Sequence, residues 1–185
     1  MLSRSFAIAI LVAAPLALGT VRTVTSAALA GDAQAPRDSI RVQSVRATIH
    51  VASGFENGNV LVLASDSGLL LVDAQSTQRV AALDTALRRL APHRVRVVVN
   101  THYHADHTEG NAYFRQLGAT VVAHHNVAVQ AAKDTTVAEW DNWHRTPLAA
   151  AAMPSRPVGD SSSFAFGAER VVLLHAPRSH TDGDL

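Results

Sequence analysis

The chain has 185 residues, 16 Lys+Arg against 15 Asp+Glu, ten histidines and no cysteine. At 48% hydrophobic and 17% charged its composition is globular rather than disordered, and the length suits one domain or a piece of a larger one. Near-even charge argues against a broad basic face for non-specific nucleic-acid binding, and within these 185 residues the lack of cysteine excludes disulfides and thiolate metal ligands.

Residues 1–30 read as a secretory signal peptide. Arg4 gives a positive start, Phe6 to Gly19 is an apolar run interrupted by Pro15, and Ala28-Leu29-Ala30 has the small-x-small pattern of a cleavage site. Ala33-Gln34-Ala35 offers a second site. The run is shorter than the ~20 residues that cross a bilayer. The mature chain is therefore expected outside the cytoplasm, periplasmic or secreted, without a membrane span. Cleavage after Ala30 removes Arg4 and Arg22 and no acid, turning the formal net charge from +1 to −1.

Residues 31–44 read as a small, polar leader, and the folded domain is expected over 45–185. Val45–Val51 alternates as a strand does. Asn59–Ser65 and Leu69–Asp73, joined by Asp66-Ser67-Gly68, read as a hairpin, and their unbroken apolar runs predict burial on both faces. Ser76 is a candidate N-cap for a helix to Ala91 in which Val80, Leu83, Leu87 and Leu90 form one stripe, with Pro92 as its stop. Val95–Val99 is a β-branched strand. Thr108 is a candidate cap for a helix through Leu117, ended by Gly118; Ala119–Ala123 reads as a strand and Asn126–Lys133 as a helix. Residues 134–157 read as loop with some helix. Phe164–Phe166 and Arg170–His175 read as two more strands. Alternating strands and helices with hairpins give an α/β layered class.

The informative stretch is Thr101-His-Tyr-His-Ala-Asp-His-Thr-Glu-Gly-Asn111, at the C-terminal end of a strand. His102, His104 and Asp106 are spaced by two, so an extended segment points them to one side, and His107 turns in from the adjacent position. Two imidazoles so placed can reach one Zn²⁺ at about 2.0–2.1 Å, leaving Asp106 and His107 for a neighbouring ion. Nitrogen and oxygen donors suit zinc and tolerate iron or manganese. Crowding these ionisable groups together without a metal would destabilise the fold by repulsion and desolvation. His124, His125 and His175 read as surface or supporting residues, and Trp140 and Trp143 as core or cleft walls.

His102-x-His104-x-Asp106-His107-x-x-Gly110 resembles the signature of the metallo-β-lactamase superfamily. Leu71-Val72-Asp73 and Ser179-His180-Thr181-Asp182-Gly183-Asp184 are similar to the family's flanking motifs. The resemblance runs from about Val45 to Leu185. It implies the N-terminal portion of a four-layer αββα sandwich, two β-sheets with helices on both outer faces. It also implies a first metal on His102, His104 and His180, a second on Asp106 and His107, and Asp73 bracing the metal loop from behind. A histidine at 107 is similar to glyoxalase II-type hydrolases, lactonases and the third metallo-β-lactamase subclass. Glu109 stands where many relatives carry glycine, and its carboxylate is expected to suit a first helical turn.

The implied activity is zinc-dependent hydrolysis of an amide, ester, lactone or thioester carbonyl, β-lactams included. Two ions in the complete protein activate a hydroxide that Asp106 orients as the catalytic carboxylate. The implied partner is a small acyl substrate, not a nucleic acid. The rivals are an iron-dependent sulfur dioxygenase on the same fold, a nuclease, and an inactive metal-binding fragment. The family supplies a further carboxylate or cysteine and another histidine after His180, whereas this sequence stops at Leu185. The 185 residues are accordingly expected to be part of a longer chain and, alone, a poor catalyst. Strands 69–72 and 95–99 are expected to lie partly bare for want of a second sheet.

Export has a direct test. Mass spectrometry of the native protein should find its N-terminus at Gly31, or at Pro36 if the second site is used, and retention of Met1 on a cytoplasmic protein contradicts it.

Overall fold

The computed structural model describes residues 40–90, 94–138 and 143–185. The expected signal peptide, Pro92, Trp140 and the Trp143 side chain lie outside the described residues.

A seven-stranded sheet runs in the order β1-β2-β3-β4-β5-β6-β9. Its first half is an antiparallel meander of β1 (Arg41–Ser44), β2 (Ile49–Ser53), β3 (Val60–Ser65) and β4 (Gly68–Val72). From β4 onward, β5 (Val95–Val99), β6 (Thr120–His124) and β9 (Arg156–Val158) add in parallel, each reached by a helical crossover. Parallel pairing brings the C-terminal ends of β4, β5 and β6 to one edge, and the histidine-rich loop leaves β5 at that edge. The crossovers hold α1 (Val80–Leu87), the short pair α2 (Ala105–Thr108) and α3 (Asn111–Gln116), and α4 (His125–Ala131). A hairpin of β7 (Thr135–Val137) and β8 (Trp143–Arg145) stands apart, and β10 (Ser161–Phe166) pairs with β11 (Glu169–Leu174) as a second layer.

The sheet is covered on both faces, which is why β4 is an uninterrupted Gly-Leu-Leu-Leu-Val buried throughout. On one face Leu69, Leu71 and Val98 pack with Val80, Leu83, Leu87 and Phe114 from the helices. On the other, Leu70, Val72, Val99 and Val122 meet Phe166, Val171 and Leu173 of the β10–β11 hairpin. Fully burying each such leucine or valine contributes roughly 1.5–3 kcal/mol. The described residues thus form the layers helix, sheet and second β-layer, the α/β arrangement expected of one side of the sandwich.

Several local expectations change. The sheet begins at Arg41, inside the stretch read as leader, and Val45–Val51 is interrupted because residues 45–48 turn the chain between β1 and β2. Ser76 does not cap α1. Its carbonyl accepts from the backbone N–H groups of Arg79 and Val80 in a turn that delays the helix to Val80. Thr108 ends α2 instead of capping α3, its hydroxyl donating back to the His104 carbonyl at 2.9 Å. Residues 134–157 contain three short strands and a 3-10 turn at Ala150–Ala152. Strands β4 and β5 are not bare on their second face: Leu70 and Val99 are each 2% exposed, because β10–β11 covers them. A cavity of about 60 Å³ lies between these layers, lined by Leu61, Leu63, Val72 and Leu173 among others.

Gly110 is fixed by close packing. A Cβ there would run into the Ala74 carbonyl, and the Gly110 N–H donates to the Gln75 carbonyl at 2.8 Å. Gly110→Ala should lower stability by about 1–3 kcal/mol, whereas Gly159→Ala, with nothing within 4 Å of its added methyl, should stay within about 0.5 kcal/mol. Urea unfolding of both variants checks the contrast; equal midpoints contradict the close approach.

Candidate metal centre

Two residues after β4, on either side of Ala74, have left-handed backbones, Asp73 at φ 71° and Gln75 at φ 66°. This conformation is uncommon outside glycine and best tolerated by Asn and Asp. At Asp73 it turns a buried carboxylate across the end of β5. Its Oδ1 accepts from the Thr101 N–H at 2.8 Å, and its Oδ2 accepts from the Thr101 hydroxyl at 2.9 Å. Oδ2 also lies 2.7 Å from His107 Nδ1.

His102 and His104 project from the bent segment after β5. Asp106 and His107 lie on α2, so a helical turn, not continued extension, brings them alongside. His102 Nε2 is 3.0 Å from His104 Nδ1, and His180 Nε2, from 76 residues downstream, is 3.1 Å from the same atom. The rings cross at 76°, 77° and 84°, directing their nitrogens toward a common point. Tetrahedral zinc at about 2.0–2.1 Å from each ligand places neighbouring donors about 3.3 Å apart, so the trio fits one such ion.

Hydrogen bonding prepares these rings. The Thr101 hydroxyl donates to Asp73 and lies 2.9 Å from His102 Nδ1, so a proton on Nδ1 leaves His102 Nε2 as a free donor atom for a cation. Burial, reinforced by the neighbouring histidines, pushes His102 down to about 3. His104 is lowered too, by burial and then by His180. Both rings are therefore neutral near pH 7, the form a metal requires.

Beside the trio, His107 Nε2 lies 3.3 Å from Asp106 Oδ2, and the His102 and His107 ring centroids are 4.2 Å apart. Burial works to lower His107, but hydrogen bonds to Asp106 and Asp73 outweigh it and lift the ring to about 10. The same hydrogen bond from His107 holds Asp106 below the usual carboxylate range, against burial. A positive charge is thus favoured at His107 Nε2, and an ion bound there would replace the proton. No third His, Cys, Asp or Glu of the described residues completes a group around this pair.

His124 and His175 gather elsewhere, around Asp160, within 3.4 and 3.3 Å of its Oδ1. Their rings stack at 12° with centroids 3.9 Å apart, and His124 Nε2 and His175 Nδ1 meet at Asp160 Oδ1, a second cluster of potential metal ligands apart from the trio. Glu109 does not serve a helix start; its carboxylate accepts from the Thr77 N–H and hydroxyl, tying α2 to the turn before α1.

These features coincide with a match of residues 53–184 to the Metallo-beta-lactamase superfamily. The chain belongs to that superfamily. Solved structures agree on the fold. A Cronobacter sakazakii metallo-β-lactamase with a HARLDQ motif aligns with TM-score 0.66 and 20% identity over 80% of this chain and 57% of its own. A subclass B3 metallo-β-lactamase of Bradyrhizobium japonicum aligns with TM-score 0.65 and 19% identity over 80% of this chain and 56% of its own. A third, described as a B3 enzyme with an active-site glutamic acid, aligns with TM-score 0.63 and 22% identity over 82% and 62%. The chain therefore spans less than two thirds of the length of these structures. A comparison with curated proteins found no match.

Two supports of the candidate site have no role assigned from sequence, although Asn111 lies within the histidine-rich stretch and Asp184 within the His180 motif. Asn100 and Asn111, both wholly buried, exchange side-chain hydrogen bonds at 3.1 and 2.8 Å, and Asn100 also donates to the His107 carbonyl at 3.0 Å. Asp184, 2% exposed, accepts from the backbone of the His180 loop. Burial works to raise its pKa, but hydrogen bonds from Thr181, the His180 N–H and Ser179 outweigh that and hold it ionised below the usual range. Their supporting roles show only in their burial and hydrogen bonds.

Proposed function

We propose that this chain carries the first metal site of a zinc-dependent hydrolase that cleaves an amide, ester, lactone or thioester carbonyl, with β-lactams within its substrate class. The observation that carries the reading is the convergence of His102, His104 and His180 on one point, with an ionised Asp106 beside it. His102, His104 and His180 would hold one ion, and Asp106 with His107 would contribute to a second. Zinc, when bound, would supply an acidified water and polarise the carbonyl oxygen.

The chain's own residues divide the remaining work. Asp73 receives a proton-bearing His107 Nδ1 and so keeps His107 Nε2 directed toward Asp106. Asp106, one-third exposed at its side chain, is accessible to a substrate and is the carboxylate placed to accept a proton from the attacking water. Its depressed pKa keeps it in the accepting form at neutral pH. It can then hand the proton to a departing amine, alkoxide or thiolate. The stacked apolar layers behind the edge keep this constellation rigid, which is the condition for positioning a nucleophile.

Export follows as part of the same proposal, carried by Arg4, the apolar run to Gly19 and the Ala28-Leu29-Ala30 site. No helix among the described residues is long and apolar enough to cross a membrane. A small acyl compound met outside the cytoplasm is the proposed partner, and the near-even charge gives no support to nucleic acid.

In the full-length protein, His104→Ala should strip zinc from the first site and reduce kcat/KM on a chromogenic β-lactam or lactone by more than the ~10–100-fold typical of losing a supporting residue. Asp106→Asn should lose comparable turnover while His102, His104 and His180 keep their zinc. Metal analysis alongside turnover checks both. Full activity in His104→Ala, or bound iron with persulfide-dependent oxygen uptake and no hydrolysis, contradicts the reading.

A further inference from the structure

His180 differs from the other metal-site histidines in how it is held. His102 and His104 follow directly from a central strand, whereas His180 sits in a loop of bends and turns after β11, far from any ladder that would fix it. Such a loop pays conformational entropy for every residue it orders, so something outside regular structure must set the position of His180 Nε2.

The buried group at the centre of this loop is Asp184. One carboxylate oxygen, Oδ2, accepts the His180 N–H at 2.7 Å, and the other accepts the Thr181 N–H at 3.0 Å together with the Thr181 hydroxyl. The Asp184 carbonyl accepts the Ala176 N–H at 2.9 Å, closing the loop at its base. The next residue, Leu185, donates its N–H to the Thr101 carbonyl at 3.0 Å and buries its side chain with Val72 and Val99. Thr101 is the residue whose N–H and hydroxyl are already bound to Asp73. Two buried carboxylates, 4% and 2% exposed, are therefore linked through one threonine. On the opposite side the loop is pressed against α4, where a Cβ on Gly183 would come within 3.1 Å of the Val127 backbone nitrogen and side chain.

We infer that Asp184 is the positioning residue for His180, and that its coupling through Thr101 to Asp73 sets the third ligand in register with His102 and His104. This rests on the trio being the metal site. A carboxylate is required because three donors face it, two from the backbone. An amide at this position can accept with its oxygen, but its NH₂ would oppose one of those N–H groups and release one side of the loop. The expected consequence is a site that keeps two imidazoles firmly and the third loosely, with reduced affinity for the ion rather than a change in which ion is preferred.

The test compares Asp184→Asn with His180→Ala and Thr181→Val in the full-length protein. Zinc affinity is measured by competition with a chromogenic chelator, and coordination by the visible spectrum of Co²⁺ bound at the first site. Asp184→Asn should weaken zinc by about 10–100-fold, the range for a residue that orients a ligand. Its Co²⁺ spectrum should move toward that of His180→Ala, while far-UV circular dichroism stays that of the parent. Thr181→Val, which removes only the hydroxyl, should weaken zinc by a few-fold and keeps the question answerable if Asp184→Asn does not fold. If His180→Ala leaves zinc binding intact, the metal-site reading itself fails. If His180→Ala weakens zinc while folded Asp184→Asn binds with parental affinity and spectrum, or Thr181→Val is indistinguishable from the parent when Asp184→Asn is unfolded, Asp184 is not the positioning residue.

Discussion

Everything at this edge of the sheet depends on the Asp73 carboxylate being held across the ends of two parallel strands. β4 and β5 pair in register, Val72 beside Val99, so the residues that follow them emerge together. Asp73 continues the pairing with its N–H on the Val99 carbonyl at 2.8 Å, then leaves the strand in a left-handed turn. That turn destabilises a non-glycine residue by roughly 1–2 kcal/mol, and burying the carboxylate adds a desolvation penalty. Hydrogen bonds to the Thr101 backbone, the Thr101 hydroxyl and His107 offset both. The Thr101 hydroxyl and the Asp73 carboxylate each favour a proton on Nδ1, of His102 and His107 respectively, so backbone geometry at the end of one strand becomes donor-atom geometry at the neighbouring one.

The layers behind the site explain why that edge holds its shape. The parallel half of the sheet is buried on both sides, by α1 and Phe114 on one and by the β10–β11 hairpin on the other. Close packing of this kind responds to displacement by clash instead of drift. The Asn100–Asn111 pair extends the rigidity into the metal loop, because Asn100 follows β5, bonds the His107 carbonyl and reaches the first residue of α3. The two metal-loop helices are short, and neither has a side-chain N-cap. Their positions come from these tertiary contacts, not from helix propensity.

Much of this was legible in the sequence because the chemistry is concentrated. Three histidines and an aspartate in six positions mark the candidate site, and the apolar run of β4 and the β-branched β5 mark the buried parallel strands that present it. The hairpin, the helical stripe from Val80 to Leu87 and the stop at Gly118 followed from local spacing. Less legible was anything decided by distant partners. The extended reading of His102–Asp106 failed at Ala105, where α2 begins, because the His107 carbonyl two residues on is held by Asn100 and Ala74. Ser76 and Thr108 resemble caps, yet backbone turns occupy those places. Asp184 closed a recognised motif but carried no role of its own, and its burial arises only when the His180 loop closes onto Thr101. The stacked His124 and His175 show the same limit: each reads as an isolated histidine, and only the fold brings them together on Asp160.

The most direct test of the Asp73 constraint is the tautomeric state of the site histidines in the zinc-loaded protein, read from ring ¹⁵N chemical shifts. With Asp73 and Thr101 in place, His102 and His107 should both carry their proton on Nδ1, with Nε2 deprotonated and shifted as a metal-bound nitrogen. A proton on Nε2 of either ring would contradict the account, since the hydrogen bonds that are held to organise the site would then not be made.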